Sequence, residues 1–199
     1  LALSKTVNVL IVGVGGQGIV LAGEILAQAA LEDGLDVKKS EIHGMSQRGG
    51  SVTSHVRFGE RVFSPVIPAG QTDLLLAFEL LEGLRYATHA RRQGLILLNT
   101  QKILPAPVLA GAAEYPEDVE AKLRENGFRV VAVNGLELAK QAGHPLTVNV
   151  ALLGAASVHL PLSDEAWQKA LERHVKPNFL EVNKKAFLLG KEAGFTELT

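Results

Sequence analysis

The stretch Gly13-Val14-Gly15-Gly16-Gln17-Gly18 constrains this chain more than any other. It follows residues 7–12, an almost wholly apolar run, and precedes a long apolar helical pattern over residues 19–31. A strand, a glycine turn and a helix start, in that order, begin a Rossmann-like α/β fold. Glycine lets such a turn tighten and a ligand approach. The unpaired N–H groups at the helix start favour a phosphate or carboxylate. Gly13, Gly15 and Gly18 fit G-x-G-x-x-G, a spacing that also serves tight turns with no ligand.

Strand and helix patterns then alternate along the chain. Residues 35–42 read as a second strand, giving a βαβ start, and 73–78, 94–98 and 128–133 as further strands. Helical patterns cover 79–90, a short stretch from 115–118 to 126–127, then 135–142 and 147–159. Another helix starts at Ser163, a natural N-cap. The last carries Phe179, Val182, Ala186, Leu189 and Ala193 as one seam, suited to core packing or to a homodimer contact. The alternation predicts a three-layer α/β/α architecture with a mostly parallel sheet, as one domain over residues 1–199.

One segment departs from that rhythm. Residues 51–58 alternate, with Val52, Val56 and Phe58 on one face and Ser51, Thr53, His55 and Arg57 on the other. Gly59-Glu60 suits a two-residue turn and 61–67 a returning strand, so an inserted antiparallel hairpin is expected. Its polar face is either solvated or a wall of an anion or partner site, in which His55 and Arg57 would take part.

The crevice at the C-terminal ends of the strands is where open α/β sheets bind ligands. There the chain carries a second glycine-rich segment, His43-Gly44-Met45-Ser46-Gln47-Arg48-Gly49-Gly50. Arg48 offers a planar fork of donors to an anion, unobstructed by the glycines beside it. Ser46, Gln47, Arg48 and Gly49 join Gly13, Gly15, Gly16, Gln17 and Gly18 as candidate binding residues, with His43 supporting the loop. A nicotinamide site would want an acid after the second strand, and Glu41 is the nearest. Asn149, inside an apolar helix, reads as a buried hydrogen-bonding residue or an interface contact.

The chain has no cysteine, so it can hold neither a disulfide nor a thiolate-bound iron–sulfur cluster. Its six histidines show no metal-ligand spacing, and no nucleophile elbow is present; no metal and no catalytic residue are assigned. A net charge of -1 gives no general attraction to nucleic acid or an anionic membrane. No apolar run reaches membrane-spanning length, and no signal peptide stands at the start, so a cytoplasmic location is expected.

On its two glycine segments the chain resembles the gamma-type subunits of 2-oxoacid:ferredoxin oxidoreductases, the indolepyruvate-using members most closely. Ser54-His55-Val56-Arg57, Leu74-Leu75-Leu76-Ala77-Phe78-Glu79, Val148-Asn149-Val150-Ala151-Leu152-Leu153-Gly154 and Glu181-Val182-Asn183-Lys184-Lys185-Ala186-Phe187 extend the likeness over nearly the whole chain. The resemblance implies oxidative decarboxylation of a 2-oxoacid to an acyl-coenzyme A. Thiamine diphosphate, Mg²⁺ and the iron–sulfur clusters would belong to a larger partner subunit, which passes electrons to ferredoxin. This chain would help hold coenzyme A or the substrate anion. A dinucleotide-binding module and a purely structural subunit are the alternatives.

Overall fold

A computed structural model describes residues 5–44 and 50–196. Among them, β1 (Val7–Val14), β2 (Asp36–His43), β3 (Ser51–Gly59), β4 (Thr72–Ala77), β5 (Ala90–Asn99) and β6 (Arg129–Val133) form one sheet in the order β2-β3-β1-β4-β5-β6. β1, β4, β5 and β6 run parallel; β3 lies antiparallel between β1 and β2. The fold is the expected mostly parallel α/β sheet with an antiparallel part. Alternate residues of the parallel strands enter two cores, Ile11, Leu76 and Leu97 on one face and Leu10, Leu75 and Ile96 on the other. Burial on both faces explains why these strands read as continuous apolar runs.

Helices α1 (Ile19–Glu32), α5 (Gly135–Ala142), α6 (Val148–Ser157), α7 (Asp164–His174) and α8 (Leu180–Thr196) cover the first face. Of the short helices α2 (Leu80–Tyr86), α3 (Ala106–Leu109) and α4 (Val119–Glu125), α2 and α4 pack on the second core. Ser163 caps α7, accepting from the Ala166 N–H at 3.2 Å, and its hydroxyl donates to Asp33 at the end of α1 at 2.6 Å. The seam Val182, Ala186 and Leu189 packs inside the molecule, against Ala142 and Ala151. At the α6–α8 crossing the backbones themselves meet: a β-carbon on Gly190 would land on the Ala151 carbonyl, and one on Gly154 on the Phe187 carbonyl.

Three expectations need correction. Residues 61–67 form no strand, because β1 and β2 already occupy both edges of β3. The segment instead crosses the second face, where Arg57 donates to the Ser64 and Val66 carbonyls and His55 Nδ1 accepts from the Ile67 N–H. The polar side of β3 is therefore neither solvated nor an open wall: Thr53 and His55 are buried, and His55 and Arg57 bond that segment. Last, β2 is not a neighbour of β1, so the βαβ start has β3 inserted within it. That places Glu41 two strand spacings from β1, roughly 10 Å, and its carboxylate pairs with Lys39 at 2.7 Å.

Candidate functional site

β1 is followed by a helix on the first face and its neighbour β4 by a helix on the second. Helices leaving on opposite sides open a crevice at the C-terminal ends of these two strands. The glycine turn fills its floor. Gly15 N–H donates to the Gly50 carbonyl at 3.0 Å, which ties the second glycine segment to the first, and Gly44 N–H donates to the Ser51 carbonyl at 3.0 Å, which draws the two ends of the second segment together. Met45, Ser46, Gln47, Arg48 and Gly49 lie outside the described residues.

Gln17 holds the turn in shape. Its Oε1 accepts from the Val14 N–H at 2.8 Å, and its Nε2 donates to the Phe78 carbonyl at 2.9 Å and to Gln101 Oε1 at 3.2 Å. The same Phe78 carbonyl accepts from Asn99, whose Oδ1 receives the Gly135 N–H. The ends of β1, β4, β5 and β6 are thereby tied together. Gly13 is required for space: a β-carbon there would come within 2.9 Å of Gln17, Ile19 and Phe78 side chains.

Gly18 is the N-cap of α1, in the left-handed region with φ 81°, and supplies no side-chain cap. The first N–H groups of α1 therefore lack helical partners, and among the described residues no acceptor meets the N–H of Gly16 or Gly18. Beside them lies a cleft of about 330 Å³ lined by Leu21, His144, Asn149, Lys176, Phe179 and Asn183 among others. His144 and Phe179 stand edge to face, ring centres 5.8 Å apart. Asn149 is 6% exposed, and its side-chain amide has no hydrogen-bond partner among the described residues. It packs against Gly18. Lys176 has no acidic partner there either. The Asn149 amide atoms are not among the side-chain atoms sealed from solvent, so they face the cleft, where a ligand can take up their hydrogen bonds.

The other side of the crevice is a closed polar cluster. Glu79 caps α2, accepting from the Glu82 N–H at 3.0 Å, and also takes the Tyr115 hydroxyl at 2.5 Å. Burial first, then the Glu79 carboxylate, push the Tyr115 phenol well above its usual range. Glu82 receives the Ser51 hydroxyl at 2.5 Å and Arg85 at 2.6 Å. These carboxylates are satisfied within the chain, as a scaffold for the crevice requires.

The glycine turn thus joins Gly13, Gly15, Gly16, Gln17 and Gly18 at one place, with His43 pairing Val52 at the end of β2 nearby. His55 and Arg57 are not brought there. They pair with Leu10 and Asn8 of β1, roughly 13 and 20 Å down the strand from Val14 at about 3.3 Å per residue. Of the cleft residues, His144 and Lys176 carry no signal in the sequence, while Phe179 and Asn183 stand there only as part of the last helix's seam and of the stretch Glu181–Phe187, without pointing to a cleft. Asn149 carried a signal, a polar residue amid an apolar helix, without indicating that its amide is unpaired.

Known proteins resemble this chain in sequence and fold. The model of the family described as pyruvate ferredoxin/flavodoxin oxidoreductase matches residues 8–193. The chain is 42% identical to the indolepyruvate oxidoreductase subunit IorB of Thermococcus kodakarensis, over 95% of this chain and 96% of that one. The keto/oxoacid ferredoxin oxidoreductase gamma subunit of Geobacter sulfurreducens superposes with a TM-score of 0.72 at 29% identity, over 96% and 99% of the two chains. A chain of the 2-oxoglutarate:ferredoxin oxidoreductase of Magnetococcus marinus, solved with 2-oxoglutarate, coenzyme A and succinyl-CoA bound, shares the fold. Its TM-score is 0.76 at 19% identity, over 98% of this chain and 32% of that one. With the glycine turn, the sheet order and these likenesses together, the chain belongs to the pyruvate ferredoxin/flavodoxin oxidoreductase family.

Proposed function

We propose that this chain, as one gamma-type domain over residues 1–199, is a subunit of a cytoplasmic 2-oxoacid:ferredoxin oxidoreductase acting on indolepyruvate or related arylpyruvates. A larger partner subunit would carry thiamine diphosphate with Mg²⁺ and the iron–sulfur clusters, for which a chain without cysteine has no thiolates. Thiamine diphosphate supplies the electron sink for loss of CO₂. Overall, a 2-oxoacid, the coenzyme A thiol and two oxidised ferredoxins give the acyl thioester, CO₂, two reduced ferredoxins and a proton.

The part of this chain is to hold coenzyme A at the crevice. A phosphate of that ligand meets the N–H groups of Gly16 and Gly18 and the start of α1. Its base enters the cleft, where the Asn149 amide offers both a donor and an acceptor to a purine edge. Lys176 provides a cation for a further phosphate. The observation that carries this reading is Asn149, buried, unpaired and set against Gly18. Gln17 braces the turn, and Ser46, Gln47, Arg48 and Gly49 are the further binding residues of this reading, with Arg48 making the charged contact.

The test is steady-state kinetics of the assembled complex carrying Asn149→Ala. The KM for coenzyme A rises about tenfold, the loss expected for one buried hydrogen-bonded contact, while the KM for the arylpyruvate stays unchanged. A rise confined to the arylpyruvate would assign the cleft to the oxoacid instead. Unchanged constants for both, in an intact complex, would leave the chain a structural subunit. Arg48→Ala should weaken coenzyme A use by at least about tenfold on the same grounds.

A further inference from the structure

A second recess lies at the opposite edge of the sheet, where the parallel strands begin. It measures about 170 Å³ and is lined by Asp73, Arg91, Gln93, Arg129 and His159 with a few apolar residues. We propose that it binds a small oxyanion, a phosphate or a short carboxylate, independently of the coenzyme A crevice.

The backbone is deformed to build it. Thr72 pairs with Ala90 and Leu74 with Leu95, so β4 advances two residues while β5 advances five. The extra residues of β5 bulge out. Gln93 sits within them at φ 59°, one of two non-glycine residues with positive φ among those described. Bulges commonly re-aim side chains beside functional sites. This one carries Arg91 and Gln93 to a recess whose other wall is Arg129, the first residue of β6, and His159, in the turn after α6.

The charges are unbalanced toward positive. Asp73 is the one carboxylate among the described residues that line the recess, and it is already shared: Arg91 lies 3.1 Å from it, Lys5 lies 3.6 Å away, and its other oxygen accepts the Asn8 N–H. Arg129 and the Gln93 amide have no partner among the described residues. The Nε2 of His159 is buried and also unpaired. Burial, and then Arg129, hold that imidazole below its ordinary pKa, so it is a neutral ring able to donate one N–H. The unpaired Arg129 guanidinium, the Arg91 guanidinium shared with Asp73, the Gln93 amide and the neutral His159 ring line a recess of this size, a set that complements an oxyanion of few atoms. The start of β1 is roughly 23 Å from its glycine turn at about 3.3 Å per residue, so an anion here cannot touch the crevice ligand.

The probe is radiolabelled inorganic phosphate, measured by equilibrium dialysis of the assembled protein at constant ionic strength. Wild type shows a saturable class of site that Arg129→Gln weakens by at least about tenfold. Unlabelled malonate is the competitor: displacement at lower concentration than unlabelled phosphate identifies a carboxylate as the better ligand. Equal phosphate binding by wild type and Arg129→Gln overturns the proposal, as does absence of saturable binding in wild type. The ring resonances of His159 give a second readout. They move with phosphate in wild type and not in the variant; an unmoved His159 in a phosphate-binding protein puts the ion elsewhere and overturns the assignment.

Discussion

Asn149 rests against Gly18: a β-carbon built on that glycine would lie 2.7 Å from the Asn149 Nδ2. Gly18 also has φ 81°, and its neighbour Gly16 has φ 100° with nothing within 4 Å of such a β-carbon. The two glycines therefore separate strain from collision. Gly16→Ala carries only the left-handed penalty, about 1–2 kcal/mol. Gly18→Ala carries that penalty and displaces the cleft's unpaired amide. In urea denaturation Gly18→Ala should lose more stability than Gly16→Ala. Equal losses would show that Asn149 swings aside without cost.

Gln17 makes a different prediction. Its amide bridges β1, β4 and the chain after β5 through three hydrogen bonds. Gln17→Ala should cost about 1–3 kcal/mol, since the Val14 N–H then loses its acceptor. The measure is the urea midpoint of the variant at unchanged slope. A variant as stable as wild type would mean that water replaces the brace. Coenzyme A affinity falling without loss of stability would instead assign Gln17 to the ligand.

How much of this was legible in the sequence follows from the range of the contacts involved. β1, α5 and the Ser163 cap depend on neighbours along the chain, and their patterns gave them away. The partners of β3 depend on pairing Ser51–Gly59 with Val7–Val14 and Asp36–His43 at once, which no local alternation encodes. A polar strand face buried under residues 61–67 looks the same in sequence as a solvated one. Alternation alone therefore offers His55 and Arg57 as residues of a site wall, whereas in the fold their bonds hold that covering segment. The glycine turn was legible because φ restricts residue choice locally. The cleft was not, because Leu21, Asn149, Lys176 and Asn183 come from α1, α6, the turn after α7 and α8.

His55 gives a pH prediction. Burial, reinforced by His89, holds its pKa below the ordinary 6.5. The native ring stays neutral and accepts the Ile67 N–H at 3.2 Å, while the unfolded chain takes up a proton near the ordinary value. Between the two pKa values the unfolded state binds more protons, so stability rises with pH there. The contribution is complete above about 6.5 and is lost as pH falls toward the depressed native value. Chemical denaturation from pH 7.5 down to about 5.5 should show a decline that His55→Asn flattens, because an amide oxygen can replace the acceptor without titrating. An unchanged slope in His55→Asn would place the titration elsewhere, His159 being the other depressed histidine among the described residues.

The tightest constraint in the helical layer is the α6–α8 crossing. Gly154, Gly190 and Gly194 leave room for backbone against backbone: a β-carbon on Gly190 would strike the Ala151 carbonyl, and one on Gly194 would lie 2.5 Å from the Ala155 carbonyl. Neither helix can retreat freely, since Ala155 and Phe187 belong to the main core. Helix propensity alone would favour alanine over glycine by about 1 kcal/mol, so the sign of Gly190→Ala decides which effect wins. Overpacking costs about 1–3 kcal/mol and sometimes more, and here the obstruction is backbone, which cannot rotate away. Gly190→Ala should therefore destabilise by about 1–2 kcal/mol net. Because α6 and α8 carry Asn149 and Asn183 into the cleft, it should also raise the KM for coenzyme A in the assembled enzyme. A stabilised Gly190→Ala variant would mean that the helices separate at little cost and that the crossing does not position the cleft.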